Sequence, residues 1–231
     1  MPLVAAAAET RDMAARLLLL TANARTPAAT PGLGVRDEER LCRYTAERLL
    51  HRQARFLVQH GLTLLRVPIL PELLSSDTGK PFLSLPGLSL SLSYTHKPFC
   101  LLCQTDSGTA PAIGLDCLSL RADFLPPARF FSAAEQDILD RLAILSPMAL
   151  GRELLRRFCI YEAILKAHGS GLARIPADLD AGKTWKRIGN ARAWGKDYAW
   201  RLLALEHTYV CLAVEKEHEA ALRKAEVRTA S

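Results

Sequence analysis

The sequence predicts an α+β fold of two similar halves, each with a small antiparallel sheet packed on a long helix. Three observations carry this. A helical pattern over residues 37–59 precedes a two-strand pattern over 88–104. A second helical pattern over 151–168 precedes a second two-strand pattern over 200–214. The two closing segments resemble each other, His96-Lys-Pro-Phe-Cys-Leu-Leu-Cys103 against His207-Thr-Tyr-Val-Cys-Leu-Ala-Val214. A chain of 231 residues has room for two small halves with a shared core. With 49% hydrophobic and 23% charged residues it belongs with globular rather than disordered chains.

The elements follow in order. Residues 17–20 are four leucines after Arg11 and Arg16, a buried strand too short for a secretory core. Residues 26–34, rich in Pro, Gly, Ala and Thr, read as a loop. In the 37–59 helix, Leu41, Ala46, Leu49, Leu50, Phe56 and Leu57 share a broad apolar side. The run Asp77-Thr-Gly-Lys-Pro81 is a turn. Leu88, Leu90 and Leu92 alternate with Ser89, Ser91 and Ser93, the pattern of a half-buried strand. After a turn at Thr95-His-Lys-Pro98 comes a buried strand over 99–104, then a linker over 106–111, which divides the chain into halves 1–107 and 108–231. The second half has a strand over 113–120, helices over 133–145 and 151–168, and a hairpin of strands 200–205 and 209–214 around Glu206-His-Thr208.

Composition narrows the partners. Thirty Lys and Arg against 24 Asp and Glu favour an anionic partner, which leaves nucleic acid, a phosphorylated cofactor or an acidic protein. The basic residues are spread along the chain, which argues against nucleic acid, although Lys183, Lys186, Arg187, Arg192 and Lys196 interleave with Trp185 and Trp194. Arg152, Arg156 and Arg157 read as a solvated face. Of six cysteines, including Cys42, only Cys100 and Cys103 have a metal-like spacing. On a strand that spacing puts them on opposite faces, as buried thiols. Scattered cysteines fit a reducing cytoplasm, and no run approaches the ~20 apolar residues of a membrane span. The six histidines lack zinc-site spacing, and His168 reads as a helix C-terminal residue favoured by the dipole.

Two segments carry chemistry. In Ile113-Gly-Leu-Asp-Cys-Leu118, Asp116 shares a strand face with Gly114 and Leu118. A carboxylate in so apolar a strand either caps a loop at the strand end or is paired or metal-bound. In the helix ending at Gly169, Leu155, Phe158, Glu162 and Lys166 lie near one stripe. Glu162 and Lys166 are either a surface ion pair worth under about 0.5 kcal/mol or, because Phe158 and Leu155 share their stripe, a pair facing protein.

Together these segments resemble the 4′-phosphopantetheinyl transferase superfamily. Its pattern is an Ile-Gly-Ile-Asp-like strand, a helix reading Trp-x-x-Lys-Glu-Ala-x-x-Lys, then Gly-x-Gly. This chain has Ile-Gly-Leu-Asp116, Phe158-x-x-Tyr161-Glu162-Ala-x-x-Lys166 and Gly169-Ser-Gly171. Arg129-Phe-Phe-Ser-Ala-Ala-Glu135, Thr78-Gly-Lys-Pro-Phe82, Ser91-Leu-Ser-Tyr94 and Ala46-Glu-Arg-Leu-Leu-His-Arg52 are similar to further family segments, in family order. The resemblance implies the family's pseudo-twofold fold in its long, monomeric form. It implies Mg2+-dependent transfer of the 4′-phosphopantetheine arm of coenzyme A to a serine of an apo-acyl or peptidyl carrier protein. Asp116 and Glu162 would hold the magnesium, with Glu162 and Lys166 catalytic. Arg52, Gly79, Lys80, Ser93 and Tyr94, with Asp116, Glu162 and Lys166, would bind the coenzyme. Four positions depart from the pattern: Leu118 replaces a second strand acid, Tyr94 a histidine, Tyr161 a lysine and Phe158 a tryptophan. The alternative is a degenerate homologue that binds coenzyme A or carrier without efficient transfer.

Overall fold

The computed structural model describes residues 15–22, 45–77, 79–120, 126, 130–171, 175–182 and 186–230. The expected loop at 26–34, the start of the first helix with Leu41 and Cys42, and Arg11, Thr78, Arg129, Lys183 and Trp185 lie outside the described residues.

The chain begins with β1 (Arg16–Thr21) and α1 (Thr45–Leu64), followed by the short pair β2 (Leu73–Ser75) and β3 (Pro81–Leu83). The hairpin β4 (Leu88–Tyr94) and β5 (Pro98–Gln104) closes the first part. The second part runs β6 (Ile113–Ser119), α2 (Ala133–Leu145), α3 (Pro147–His168), β7 (Ile188–Ala193), β8 (Lys196–Leu205) and β9 (Thr208–Glu215). It ends with α4 (Glu219–Arg223) and β10 (Glu226–Thr229). The fold is mixed α+β. The expected 107/108 division falls in the connection between β5 and β6.

One four-stranded sheet has the order β10-β1-β5-β4 and the other β6-β9-β8-β7. The second sheet is antiparallel throughout. The first is not: β10, from the end of the chain, pairs in parallel with β1. Sequence reading missed β10 because Glu-Val-Arg-Thr is exposed along its whole length and has no apolar side. It missed β7 because a strand with polar residues outward reads as a basic run.

The layers follow from which face each strand residue presents. Leu18, Leu20, Cys100 and Leu102 pack against Leu57, Val58 and Leu62 of α1. Their neighbours Leu17, Leu19, Leu101 and Cys103 point the other way and meet Ile113, Leu115, Val210 and Leu212 of the second sheet. Cys211 and Ala213 on the far face of that sheet pack against Ile160, Ala163, Ile164 and Ala167 of α3. The order is therefore α1, sheet one, sheet two, α3. Strands covered on both faces need apolar residues at nearly every position, which explains runs such as Phe99–Cys103. Cys100 and Cys103 are buried thiols on opposite faces of β5, as the spacing predicts.

Several boundaries differ from expectation. α1 continues past residue 59 because Gly61 lets the helix lie against β5: a Cβ there would stand 2.3 Å from Leu102 Cδ1. α3 starts four residues before 151, where the Ser146 side chain accepts from the Ala149 N–H and Pro147 occupies the first turn. Its end at Gly169, with φ at 90°, is where a glycine stop belongs.

The serine side of β4 also differs. Ser91 and Ser93 are not on a solvated face; they are 3% and 4% exposed. β4 and β6 are edge strands of different sheets, and β6 has N–H groups with no strand partner on that side. Ser91 Oγ accepts the Leu115 N–H at 2.9 Å and Ser93 Oγ accepts the Cys117 N–H at 3.2 Å. The alternation marks a seam between the sheets, because hydroxyls satisfy buried backbone donors that would otherwise be costly.

On the other face of β6, Gly114 lies directly under α3. A Cβ there would stand 1.8 Å from the Ala163 carbonyl oxygen and 2.5 Å from the Ala167 nitrogen. Both are backbone atoms, so only movement of the helix makes room. Gly114→Ala is expected to cost about 1–3 kcal/mol or more, read as a lower urea midpoint at an unchanged m-value. An unchanged midpoint contradicts this packing.

Candidate functional site

Asp116 lies on the same face of β6 as Gly114, beneath α3, and is 2% exposed. Its Oδ1 accepts from Lys166 Nζ at 2.7 Å and from Ser93 Oγ at 3.0 Å. Its Oδ2 is buried with no lasting N–H or O–H donor among the described residues; only the Glu162 carboxyl, while it keeps its proton, hydrogen-bonds this carboxylate. The carboxylate is thus satisfied on one oxygen, and the other is orphaned once Glu162 ionises. This settles the two readings of Asp116: it is a paired, buried carboxylate rather than a loop cap.

Glu162 sits one turn before Lys166 on α3, with Oε2 4.0 Å from Lys166 Nζ. Its side chain is 17% exposed, so the pair is no free surface ion pair. Phe158 and Leu155, on the same stripe, are buried in the core around α3. Burial and the neighbouring Asp116 charge push the Glu162 carboxyl up to about 8, with Lys166 offsetting only part. Burial works against the Lys166 charge, but the Asp116 carboxylate, its hydrogen bond and Glu162 together hold the ammonium above its ordinary value. Two carboxyls share one ammonium: Asp116 balances Lys166, and Glu162 adds an excess negative charge only once it gives up its proton.

That donor set fits a hard divalent cation, for which one or two carboxylates, phosphate oxygens and water are the usual ligands. The orphaned Asp116 Oδ2 beside Glu162 is the structural sign of the fit. Among the described residues no group of three or more His, Cys, Asp or Glu side chains gathers that could hold a metal ion, so an ion bound at this pair would need further ligands from phosphate or solvent.

Beside the pair opens a cavity of about 340 Å³, lined from one side by His51, Lys80 and Tyr94 and from the other by Lys166, Gly169 and Gly171. Of the sequence-derived residues, Gly79, Lys80, Tyr94 and Lys166 line it, and Ser93 reaches it through Lys166 and Asp116. Lys80 Nζ donates to the Ala167 and Ile113 carbonyls at 3.2 and 3.4 Å, at the negative end of α3. Burial holds this ammonium below its ordinary value. Arg52 is exposed on α1 and is not among the lining residues. Its neighbour His51 is, with its ring 5.4 Å from that of Tyr94. Sequence reading missed His51 because which of two adjacent helix residues faces a cavity depends on how the helix is rotated.

The departures from the family pattern have clear surroundings. Leu118 packs at the edge of the core around α3. The Tyr161 hydroxyl donates to Glu135, not to the Asp116–Glu162 pair. Glu135 also closes a capping box with Ser132 at the start of α2 and pairs with Arg157 Nη1 at 2.6 Å. The Ser132 and Glu135 part of the Arg129–Glu135 segment therefore ties α2 to α3. Arg157 is 1% exposed, which corrects its expected place on a solvated face; Glu153, one turn before it, pairs with its Nε at 2.9 Å, and Glu135, the partner that joins it to α2, lies 22 residues away. In the basic run, Trp194 stacks on His168 at 3.8 Å and Lys196 pairs with Glu215 at 3.0 Å. Among the described residues no helix is long and apolar enough to cross a membrane.

No curated protein matches this sequence. Residues 112–222 match the family model described as the 4′-phosphopantetheinyl transferase superfamily, a stretch that contains Asp116, Glu162 and Lys166. The chain carries a 4′-phosphopantetheinyl transferase superfamily domain over those residues.

Proposed function

We propose that this chain transfers the 4′-phosphopantetheine arm of coenzyme A to a serine of an apo-acyl or peptidyl carrier protein, with Mg2+ held by Asp116 and Glu162. The superfamily domain over residues 112–222 supports phosphopantetheine transfer in general. The observation that carries the finer reading is the buried Asp116 Oδ2, without a lasting protein donor, beside a second buried carboxyl and at the edge of the cavity. A divalent ion would displace the Glu162 proton, and Asp116, Glu162, Lys166 and the ion together would then carry one excess positive charge, which suits a pyrophosphate.

In this reaction the serine oxygen forms a bond to the phosphorus bearing the pantetheine arm. The bond to the adenosine 3′,5′-bisphosphate breaks, and that group leaves with the electron pair. The bound ion would offset charge building on the leaving group. Lys166 holds a phosphate oxygen as a point charge. Ser93 and Lys166 fix Asp116 through its Oδ1, so Oδ2 faces one way only. Glu162 would take the serine proton, directly or through water. Arg52, Gly79, Lys80, Ser93 and Tyr94 contact the nucleotide end. Lys80 spends two of its three donors on carbonyls and keeps one for a ligand.

The monomeric, pseudo-twofold form is part of the proposal. Both parts of the chain contribute to one cavity. Each has a strand, a long helix and a closing hairpin, as β1, α1, β4–β5 and β6, α3, β8–β9, which supports halves at 1–107 and 108–231. Among the described residues five buried cysteines are unpaired, which supports a reducing compartment.

The test is intact-protein mass spectrometry of a panel of apo-carriers with coenzyme A and Mg2+. One carrier should gain the mass of a single phosphopantetheine arm, and Glu162→Gln and Asp116→Ala should abolish the gain. A folded wild-type chain that binds coenzyme A yet modifies no carrier sinks transfer and leaves the degenerate homologue.

Stability gives an independent prediction. Glu162 loses its proton near 4.5 when unfolded and near 8 when folded, so across that range the folded state holds the extra proton. The Glu162 contribution to metal-free stability is therefore fully present below about 4.5 and is lost as pH climbs towards about 8. Melting curves should show this slope in wild type and a flatter one in Glu162→Gln. Mg2+ with coenzyme A should raise the melting temperature more at about pH 8.5 than at about pH 6, because binding need not expel a proton there. An equal rise at both would contradict metal binding at this pair.

A further inference from the structure

We infer that the flank of α3 away from β6 carries a second binding site, one that takes a small organic phosphate. A cavity of about 300 Å³ opens there, lined by Arg156, Lys186, Arg187, Leu202, Leu205 and Tyr209, a size found among small-molecule sites. It shares no residue with the cavity beside Asp116. In the sheet order β6-β9-β8-β7, Asp116 lies on the edge strand β6, whereas this cavity is built on β9, β8 and the approach to β7. α3 serves both places: Glu162 and Lys166 stand beside Asp116, and Arg156 reaches the second cavity.

Charge decides which class of ligand fits. No carboxylate lines this cavity. Glu153 accepts from Arg156 Nη1 at 3.1 Å and pairs with Arg157 Nε at 2.9 Å, and Glu135 also pairs with Arg157. Those two carboxylates answer the two α3 arginines. Lys186 and Arg187 are exposed and make no ion pair among the described residues, so two positive charges at the cavity stay unmatched. A phosphate monoester carries close to two negative charges above about pH 7, and its oxygens suit the guanidinium fork. Arg156 is held in place by Glu153 and by the Tyr209 ring, whose centre lies 6.0 Å from the guanidinium carbon, and its buried Nε has no hydrogen-bond partner among the described residues. Leu202 and Tyr209 are 7% and 9% exposed and Leu205 is half-buried, an apolar lining that a bare phosphate ion leaves uncovered. The ligand is therefore a phosphate on an apolar or aromatic body. The site uses basic residues that the transferase reading leaves idle, and it stands or falls apart from that reading.

The experiment is calorimetric titration of the full chain at about pH 8, where the monoester is a dianion, with phenyl phosphate, inorganic phosphate and phenol. Phenyl phosphate should bind more tightly than either of the others, because only it offers both the charge and the ring. Arg187→Gln should weaken it about tenfold, the size of one charge-assisted pair, and Arg187→Lys should recover part of the loss. Thermal melts check that the variants fold; if Arg187→Gln does not, Lys186→Gln decides by the same comparison. Saturating coenzyme A should leave phenyl phosphate binding in place, and Arg187→Gln should leave coenzyme A affinity unchanged. Displacement of phenyl phosphate by coenzyme A, equal affinity in wild type and Arg187→Gln, or no binding to wild type overturns the site. Inorganic phosphate binding as tightly as phenyl phosphate overturns the organic ligand.

Discussion

The backbone of β6 and the backbone of α3 touch at Gly114, with no side chain between them. Ala163 and Ala167 sit over that contact, so the neighbouring Glu162 and Lys166 are brought down beside the strand. Asp116, two residues along β6 on the same face, then lies within hydrogen-bond reach of Lys166. An aspartate at that depth is expensive unless its charge is matched. The close packing places one ammonium against it and a second carboxylate beyond, a balance that leaves room for a cation. Distance, burial and charge at the site thus share a single steric origin.

The seam between the two sheets is the second constraint. Ser91 and Ser93 satisfy buried N–H groups of β6 that have no strand beside them. Ser93 also donates to Asp116 and accepts from Lys166. One hydroxyl therefore joins the first half of the chain to the acidic pair in the second. The site lies at the join because both halves supply it, and the cavity beside it is closed by residues of both.

What was legible in the sequence was local. The strand around Asp116, the helix with Glu162 and Lys166, the glycine stop at residue 169 and the opposite faces of Cys100 and Cys103 all follow from short-range periodicity. What was not legible depended on distant partners. Arg157 looks solvated until Glu135 is brought to it. Ser91 and Ser93 look exposed until β6 is laid alongside. Lys80 looks like a free cation until the end of α3 reaches it. That His51 lines the cavity and the adjacent Arg52 does not is the same dependence on a smaller scale, because a rotation of about 100° separates adjacent residues on a helix.

The central claim is that the orphaned oxygen of Asp116 and the carboxylate of Glu162 hold a divalent ion in the presence of coenzyme A. The most direct measurement is a crystal structure grown with coenzyme A and Mn2+, read by anomalous diffraction. The account predicts one strong peak bonded to Asp116 Oδ2, to Glu162 and to a pyrophosphate oxygen. A bound coenzyme with no peak between these carboxylates, or a peak elsewhere on the chain, would contradict it.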